Sequence, residues 1–178
     1  MTSKLGHGSD LKTKFIAMLR SLLLLFIVFS TGNGVPKADI DLRCQHGWTH
    51  FETRCYKFFS QSATWLAAER NCIDQHANLA SVHKEEENSF LMGLLPSPTT
   101  RCWIGVQDAV EEGEWLWSDG TNYDYDNWCT GEPNNLNVEN CGEINWTSDE
   151  CWNDSTCTNP KGYICATRSE MDWPTDPE

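Results

Sequence analysis

The sequence is short of positive charge: 13 Lys and Arg stand against 26 Asp and Glu in 178 residues, a formal net charge of −13. Without a basic stripe, nucleic acid and anionic membrane surfaces are excluded as partners. Long apolar runs are missing too. The densest uncharged stretch, Ser21–Ser30, is ten residues, against the roughly 20 that a spanning helix needs. No membrane span is therefore expected in the mature form. No repeat recurs at a fixed period. The five histidines (His7, His46, His50, His76 and His83) form neither a zinc pattern nor a nucleophile–base spacing, so an enzyme is not expected and the histidines are read as surface groups.

What the sequence does have is 9 Cys and 9 Trp, with 39% hydrophobic residues. That excludes a disordered acidic chain, which would be poor in aromatics, and the length suits one domain. So many cysteines point to an oxidising compartment. The front of the chain supplies the route. Lys4, Lys12 and Lys14 precede an apolar segment, Phe15 to Ser30, interrupted only by Arg20, and Ser30, Thr31, Gly32 and Gly34 follow. A basic start, a short greasy centre and a small-residue end describe a secretory signal peptide over residues 1–34, cleaved near Gly32 or Gly34. Its removal leaves a secreted, extracellular chain of net charge −16. Such a chain has carboxylates to spare for a cation and resists self-association.

The mature chain reads as a short polar lead (35–43), a domain holding every cysteine (44–168) and an acidic, Pro-containing, disordered tail (169–178). Ser62 to Gln75 places Trp65, Ala68, Cys72 and Ile73 on one helical stripe, with Ser60 or Ser62 as N-cap. Lys84 to Leu95 repeats the pattern with Phe90, Leu91, Leu94 and Leu95. Glu85, Glu86 and Glu87 suit the positive end of its dipole, and Pro96 ends it. Short strands follow at Arg101–Val106, Glu114–Trp117, Glu143–Trp146 and Gly162–Ala166. The long Asn-rich stretch between the second and third of these is the functional candidate, because long loops in compact domains usually carry function. Helices followed by strands indicate an α+β fold. The Trp-rich strands are expected in the core, with Trp152 beneath the loop.

Spacing does not choose among the connectivities open to eight paired cysteines. A resemblance does. Cys72 in a helix, Trp103-Ile104-Gly105-Val106, Trp115-Leu116-Trp117, Glu132-Pro133-Asn134, Trp152-Asn153-Asp154 and Tyr163-Ile164-Cys165 recur in this order in C-type lectin-like domains. The chain resembles that family from Cys44 to Arg168, and is especially similar to fish single-domain lectins and type II antifreeze proteins. The resemblance implies two helices packed on small antiparallel sheets, a long calcium-binding loop, and bridges Cys72–Cys165, Cys141–Cys157, Cys44–Cys55 and Cys129–Cys151. The antifreeze proteins have one more bridge, from the position of Cys102 to a cysteine where this chain has Asn140. Cys102 is therefore left unpaired. It is either a buried inert thiol or an interchain link making a homodimer or higher oligomer.

The resemblance also implies a Ca2+ site built from Glu132, Asn134, Glu139, Asn153 and Asp154, with a cis Glu132-Pro133 bond. These are all oxygen donors, as calcium requires. The same five residues are the expected carbohydrate-binding set. Each of two vicinal sugar hydroxyls would accept a hydrogen bond from an Asn amide and donate one to a carboxylate, with Glu132 paired to Asn134 and Glu139 to Asn153. Glu-Pro-Asn order implies mannose-type glycans (mannose, N-acetylglucosamine, fucose), and weak single-site affinity calls for several copies. An auxiliary calcium site would draw on Asp108, Glu112, Asn135, Glu139 and Asn140, where Asn135 and Asn140 replace acids commonly found in the family. Two glycosylation sequons are present, at Asn145 and Asn153; a ligand role for Asn153 leaves Asn145 as the acceptor. The expected function is a secreted, calcium-dependent, mannose-binding lectin of innate immune recognition. The alternative is an ice-binding antifreeze protein on the same scaffold.

Overall fold

A computed structural model describes residues 42–171. The expected signal segment 1–34, most of the expected polar lead and residues 172–178 lie outside the described residues. The two expected helices are present. Helix α1 is Trp65–Ile73 and α2 is Glu85–Leu94. Ten strands accompany them: β1 Leu42–Arg43, β2 Thr49–Phe51, β3 Arg54–Ala63, β4 Asn78–Leu79, β5 Cys102–Gln107, β6 Leu116–Trp117, β7 Cys141–Ile144, β8 Asn153–Ser155, β9 Lys161–Arg168 and β10 Glu170–Met171. Eight of them share one hydrogen-bonded sheet in the order β2-β3-β9-β5-β7-β8, with β4 on β9 and β6 on β5. Every pairing is antiparallel except that of β5 with β9. β1 pairs with β10, so the first residues of the expected tail lie in a strand.

The helix boundaries shift for a local reason. β3 runs on to Ala63, paired with Lys161 of β9, so Ser60 and Ser62 sit exposed in a strand. The cap is Thr64, whose Oγ1 accepts from Ala67 N at 3.3 Å. Ala68 and Cys72 face inward as the stripe requires, but Ile73 is 53% exposed. Its place is taken by Glu69, whose carboxylate accepts from Leu79 N, Asn78 Nδ2 and Ser118 Oγ. In α2, Glu85 and Glu86 stay in solvent while Glu87 turns inward. Glu87 accepts from Arg54 at 2.9 Å, from His83 N at 2.7 Å and from the Tyr56 hydroxyl. The β7 strand ends earlier than expected because Asn145 takes a left-handed φ of 63°.

The core lies in two patches. One gathers Tyr56, Leu91, Ile104, Val106, Trp117, Trp152 and Ile164. The other gathers Ala68, Cys72, Leu79, Trp103 and Cys165. Trp152 is fully buried, donates to Asn88 Oδ1 at 2.7 Å and meets the rings of Trp117, Tyr125 and Trp128 edge-on. The four implied bridges are all formed. Cys72–Cys165 closes a separation of 93 residues, worth about 4–5 kcal/mol on the chain-entropy model. Cys102 is free and fully buried. Burial first, and the charge of Glu143 second, push its thiol far up. An interchain bridge through Cys102 is therefore incompatible with the folded domain.

Gly105 lies where β5 passes the end of β4. A Cβ there would stand 2.7 Å from the Leu79 carbonyl oxygen and 2.9 Å from Ser118 Oγ, and a backbone oxygen cannot yield cheaply. Gly105→Ala is expected to destabilise the domain by about 1–3 kcal/mol, read by denaturant unfolding under oxidising conditions. Unchanged stability would contradict this close approach.

Candidate functional site

The long stretch between β6 and β7 carries no named strand, so its backbone groups need other partners. Asp154 on β8 supplies them. Its side chain is fully buried, with Oδ1 accepting from Asn134 N at 3.1 Å and Oδ2 from Asn135 N at 2.6 Å. The loop is pinned further by Cys129–Cys151 and by the bridge pairing of Trp128 with Trp152. Glu132-Pro133 is cis. Within the loop, Asn134 Oδ1 accepts from Leu136 N and Asn135 Oδ1 from Glu139 N, both at 2.8 Å.

Around this hinge the carboxylates crowd. Burial, then a hydrogen bond to Asp154 and the charges of Asp154 and Glu139, push the Glu132 carboxyl above its ordinary value. Glu139 is raised as well, by burial first and then by the charges of Asp154 and Glu143. Glu132 Oε2 is buried with no hydrogen-bond partner. An orphaned carboxylate oxygen beside like charges is what a cation relieves, so the donor set fits calcium. The set is not a finished cage: among the described residues, no three His, Cys, Asp or Glu side chains stand together as one. Asn153 differs from the expected role. It is buried, with Nδ2 donating to Glu143 Oε1 at 3.0 Å and to the Asp154 carbonyl. Asn134 is exposed.

The sequence reading missed Glu143. This carboxylate is 1% exposed, with Oε2 at 3.2 Å from Lys161 Nζ, and Lys161 lies over the Trp103 ring. Strand alternation would have put Glu143 on the polar face with Asn145, whereas all four residues of β7 are buried, so the pattern carried no signal for it. The auxiliary set divides in two: Asp108, Glu112 and Asn140 come together, whereas Asn135 faces the backbone of Glu139.

A separate cleft of about 710 Å³ is lined in part by Arg54, His76, His83, Asp119 and Arg168. Its Thr121, Thr167 and Ser169 hydroxyls donate back into the protein. His83 stands between Asp124 Oδ1 at 2.7 Å and Ser81 Oγ at 3.1 Å, an order that resembles a nucleophile triad. Ser81 is fully buried, however, and gives its proton to Asp119. Burial works to raise the Asp119 carboxyl, but hydrogen bonds from Ser81 and Thr121, with the Arg54 charge, hold it below its ordinary value.

The family model for the lectin C-type domain matches residues 61–167. The chain belongs to the C-type lectin domain family. This lectin-family chain is 44% identical over 136 residues to ladderlectin of Oncorhynchus mykiss, covering 73% of itself and 72% of that protein. It is 37% identical to the galactose-specific lectin nattectin of Thalassophryne nattereri, covering 81% and 93%. Among solved structures, the herring type II antifreeze protein superposes with a TM-score of 0.69 at 35% identity, covering 71% of this chain and all of that one.

Asn145 departs from its expected role as glycan acceptor. It is 5% exposed, and its Nδ2 donates to the Pro98 and Thr100 carbonyls at 3.1 and 2.8 Å. Glycosylation uses that nitrogen. Asn153 is closed in the same way, so the folded domain presents neither sequon. Mass spectrometry of chain expressed in a glycosylating host should find the Asn145 peptide bare; an occupied site there would contradict this geometry.

Proposed function

We propose that the chain is a secreted, calcium-dependent lectin for mannose-type glycans. The observation that carries this is the orphaned Glu132 Oε2 among raised carboxyls, set in a loop that Asp154 holds by its backbone. Glu132, Asn134, Glu139, Asn153 and Asp154 would hold the ion. When bound, calcium supplies coordination for two vicinal sugar hydroxyls. Glu132 and Asn134 then form the poised donor–acceptor pair, since Asn134 is exposed with its amide nitrogen clear of the protein's own hydrogen bonds. The Glu139 and Asn153 pair acts only if Asn153 turns one amide hydrogen outward. Glu-Pro-Asn order favours mannose, N-acetylglucosamine and fucose over galactose, although one relative is named galactose-specific. Eight bridged cysteines and the apolar segment before Ser30 support secretion. Among the described residues no helix is long and apolar enough to cross a membrane. Recognition of microbial glycans in innate immunity follows from sugar class and export. Avidity would come from several copies joined by something other than Cys102.

The second reading is ice binding, supported by the likeness to herring antifreeze protein over that protein's whole length. One experiment separates the two. The oxidised chain is loaded on mannan with calcium, then challenged with mannose, galactose or chelator, and its effect on ice growth is recorded. Elution by mannose and chelator but not galactose is expected. Retention through chelator overturns calcium dependence, and elution by galactose alone overturns the sugar class. Absence of retention combined with arrested ice growth selects the second reading.

Glu143 is expected to set calcium affinity through Asn153, because groups that orient ligands typically matter by about 10–100-fold. Glu143→Leu should weaken calcium binding by that factor in titration calorimetry. Glu143→Gln, which keeps an acceptor for Asn153, should retain most of the affinity. Equal affinities in all three proteins would remove Glu143 from the site.

A further inference from the structure

The auxiliary set does not fit a cation as it stands, and the reason is Asn140. Asp108 directly follows β5 and is 1% exposed. Its Oδ1 accepts from Asn140 Nδ2 at 3.0 Å and its Oδ2 from Gly113 N at 2.8 Å. Its own N–H donates to the Asn140 carbonyl at 3.1 Å. The same Nδ2 lies 3.3 Å from Glu112 Oε2. One amide nitrogen has two hydrogens, and here two carboxylates face them. Asn135, the other amide in the set, spends its oxygen on Glu139 N.

We infer that Asn140 does the work of the auxiliary calcium. The amide ties the 108–113 turn to the residue preceding Cys141, so the base of the loop closes without an ion. An acid at 140 would instead set a third carboxylate against Asp108 and Glu112 with no proton between them, and only a cation would hold them. This deepens the calcium reading of the same loop. Glu139 then serves the sugar-binding ion alone, and sugar binding depends on calcium to the first power, with one ion per chain.

The test is calcium titration calorimetry on the oxidised full chain and on Asn140→Asp, with melting temperatures measured in chelator and in calcium. The parent is expected to bind one calcium and Asn140→Asp two. In chelator the variant should melt roughly 5 °C lower, from the lost hydrogen bonds to charged acceptors, and calcium should restore it. A parent that binds two ions overturns the inference, whether or not the variant folds. So does a variant that binds no more than the parent. A parent that binds none while Asn140→Asp binds one sinks the principal calcium site but sustains the role of Asn140, so the two failures are distinguishable.

Discussion

The buried carboxylate of Asp154 is the contact on which the loop depends. A fully desolvated carboxylate costs several kcal/mol unless its oxygens are satisfied, and the two N–H groups of Asn134 and Asn135 belong to a stretch with no strand partner of its own. Each requirement answers the other. The chain at Glu132–Asn135 is thereby fixed against β8 by its backbone, which leaves Glu132 Oε2 and the Asn134 side-chain amide nitrogen free for a ligand. Trp152 and Cys151 hold the neighbouring stretch, through the core and through Cys129, so β8 is a firm platform although it is the edge strand of the sheet.

The same device recurs through the domain. Glu69, Glu87, Asp108, Glu143 and Asp154 are all buried acids, and each accepts from groups far along the chain or from a neighbouring turn. Acid burial of this kind adds little net stability, since desolvation offsets the attraction. What it fixes is geometry: Glu69, Glu87 and Asp154 join segments that no strand pairing connects, while Glu143 locks onto Asn153, its partner across the β7–β8 ladder. A chain so rich in acids uses some of them as internal acceptors and leaves others, Glu132 and Glu139, crowded and only partly buried at the loop.

This explains what the sequence disclosed and what it hid. The motifs around Trp103, Glu132, Trp152 and Tyr163 carried the family, and with it the bridges that periodicity could not choose. Both helices showed in their apolar stripes. Their inner faces did not, because Glu69 and Glu87 look like solvent residues until Ser118, Leu79, Arg54 and Tyr56 are brought to them by tertiary contacts. Asn145 and Asn153 read as a glycan acceptor and a free ligand. A sequon shows nothing of the carbonyls and carboxylate that engage their amides. Likewise Thr64 displaced Ser60 and Ser62 as cap only because β3 is held extended to Ala63 by β9.

Position 140 is where the chemistries available to this scaffold part. An acid there calls for a cation shared with Asp108 and Glu112. A cysteine there would stand opposite Asp108, at the far end of β5 from Cys102, roughly 20 Å along the strand and out of bridging reach. An amide gives one hydrogen to Asp108 and turns the other to Glu112, and asks for no ion. Cys102, opposite Ile144 at the other end of β5, is remote from this contact and stays inside the strand, where burial holds its thiol protonated and inert. The unpaired cysteine and the reduced charge of the auxiliary set are thus separate facts: a neutral side chain at 140 closes the base of the loop without metal, and leaves the carboxylates farther along it as the place where a divalent ion has most to neutralise.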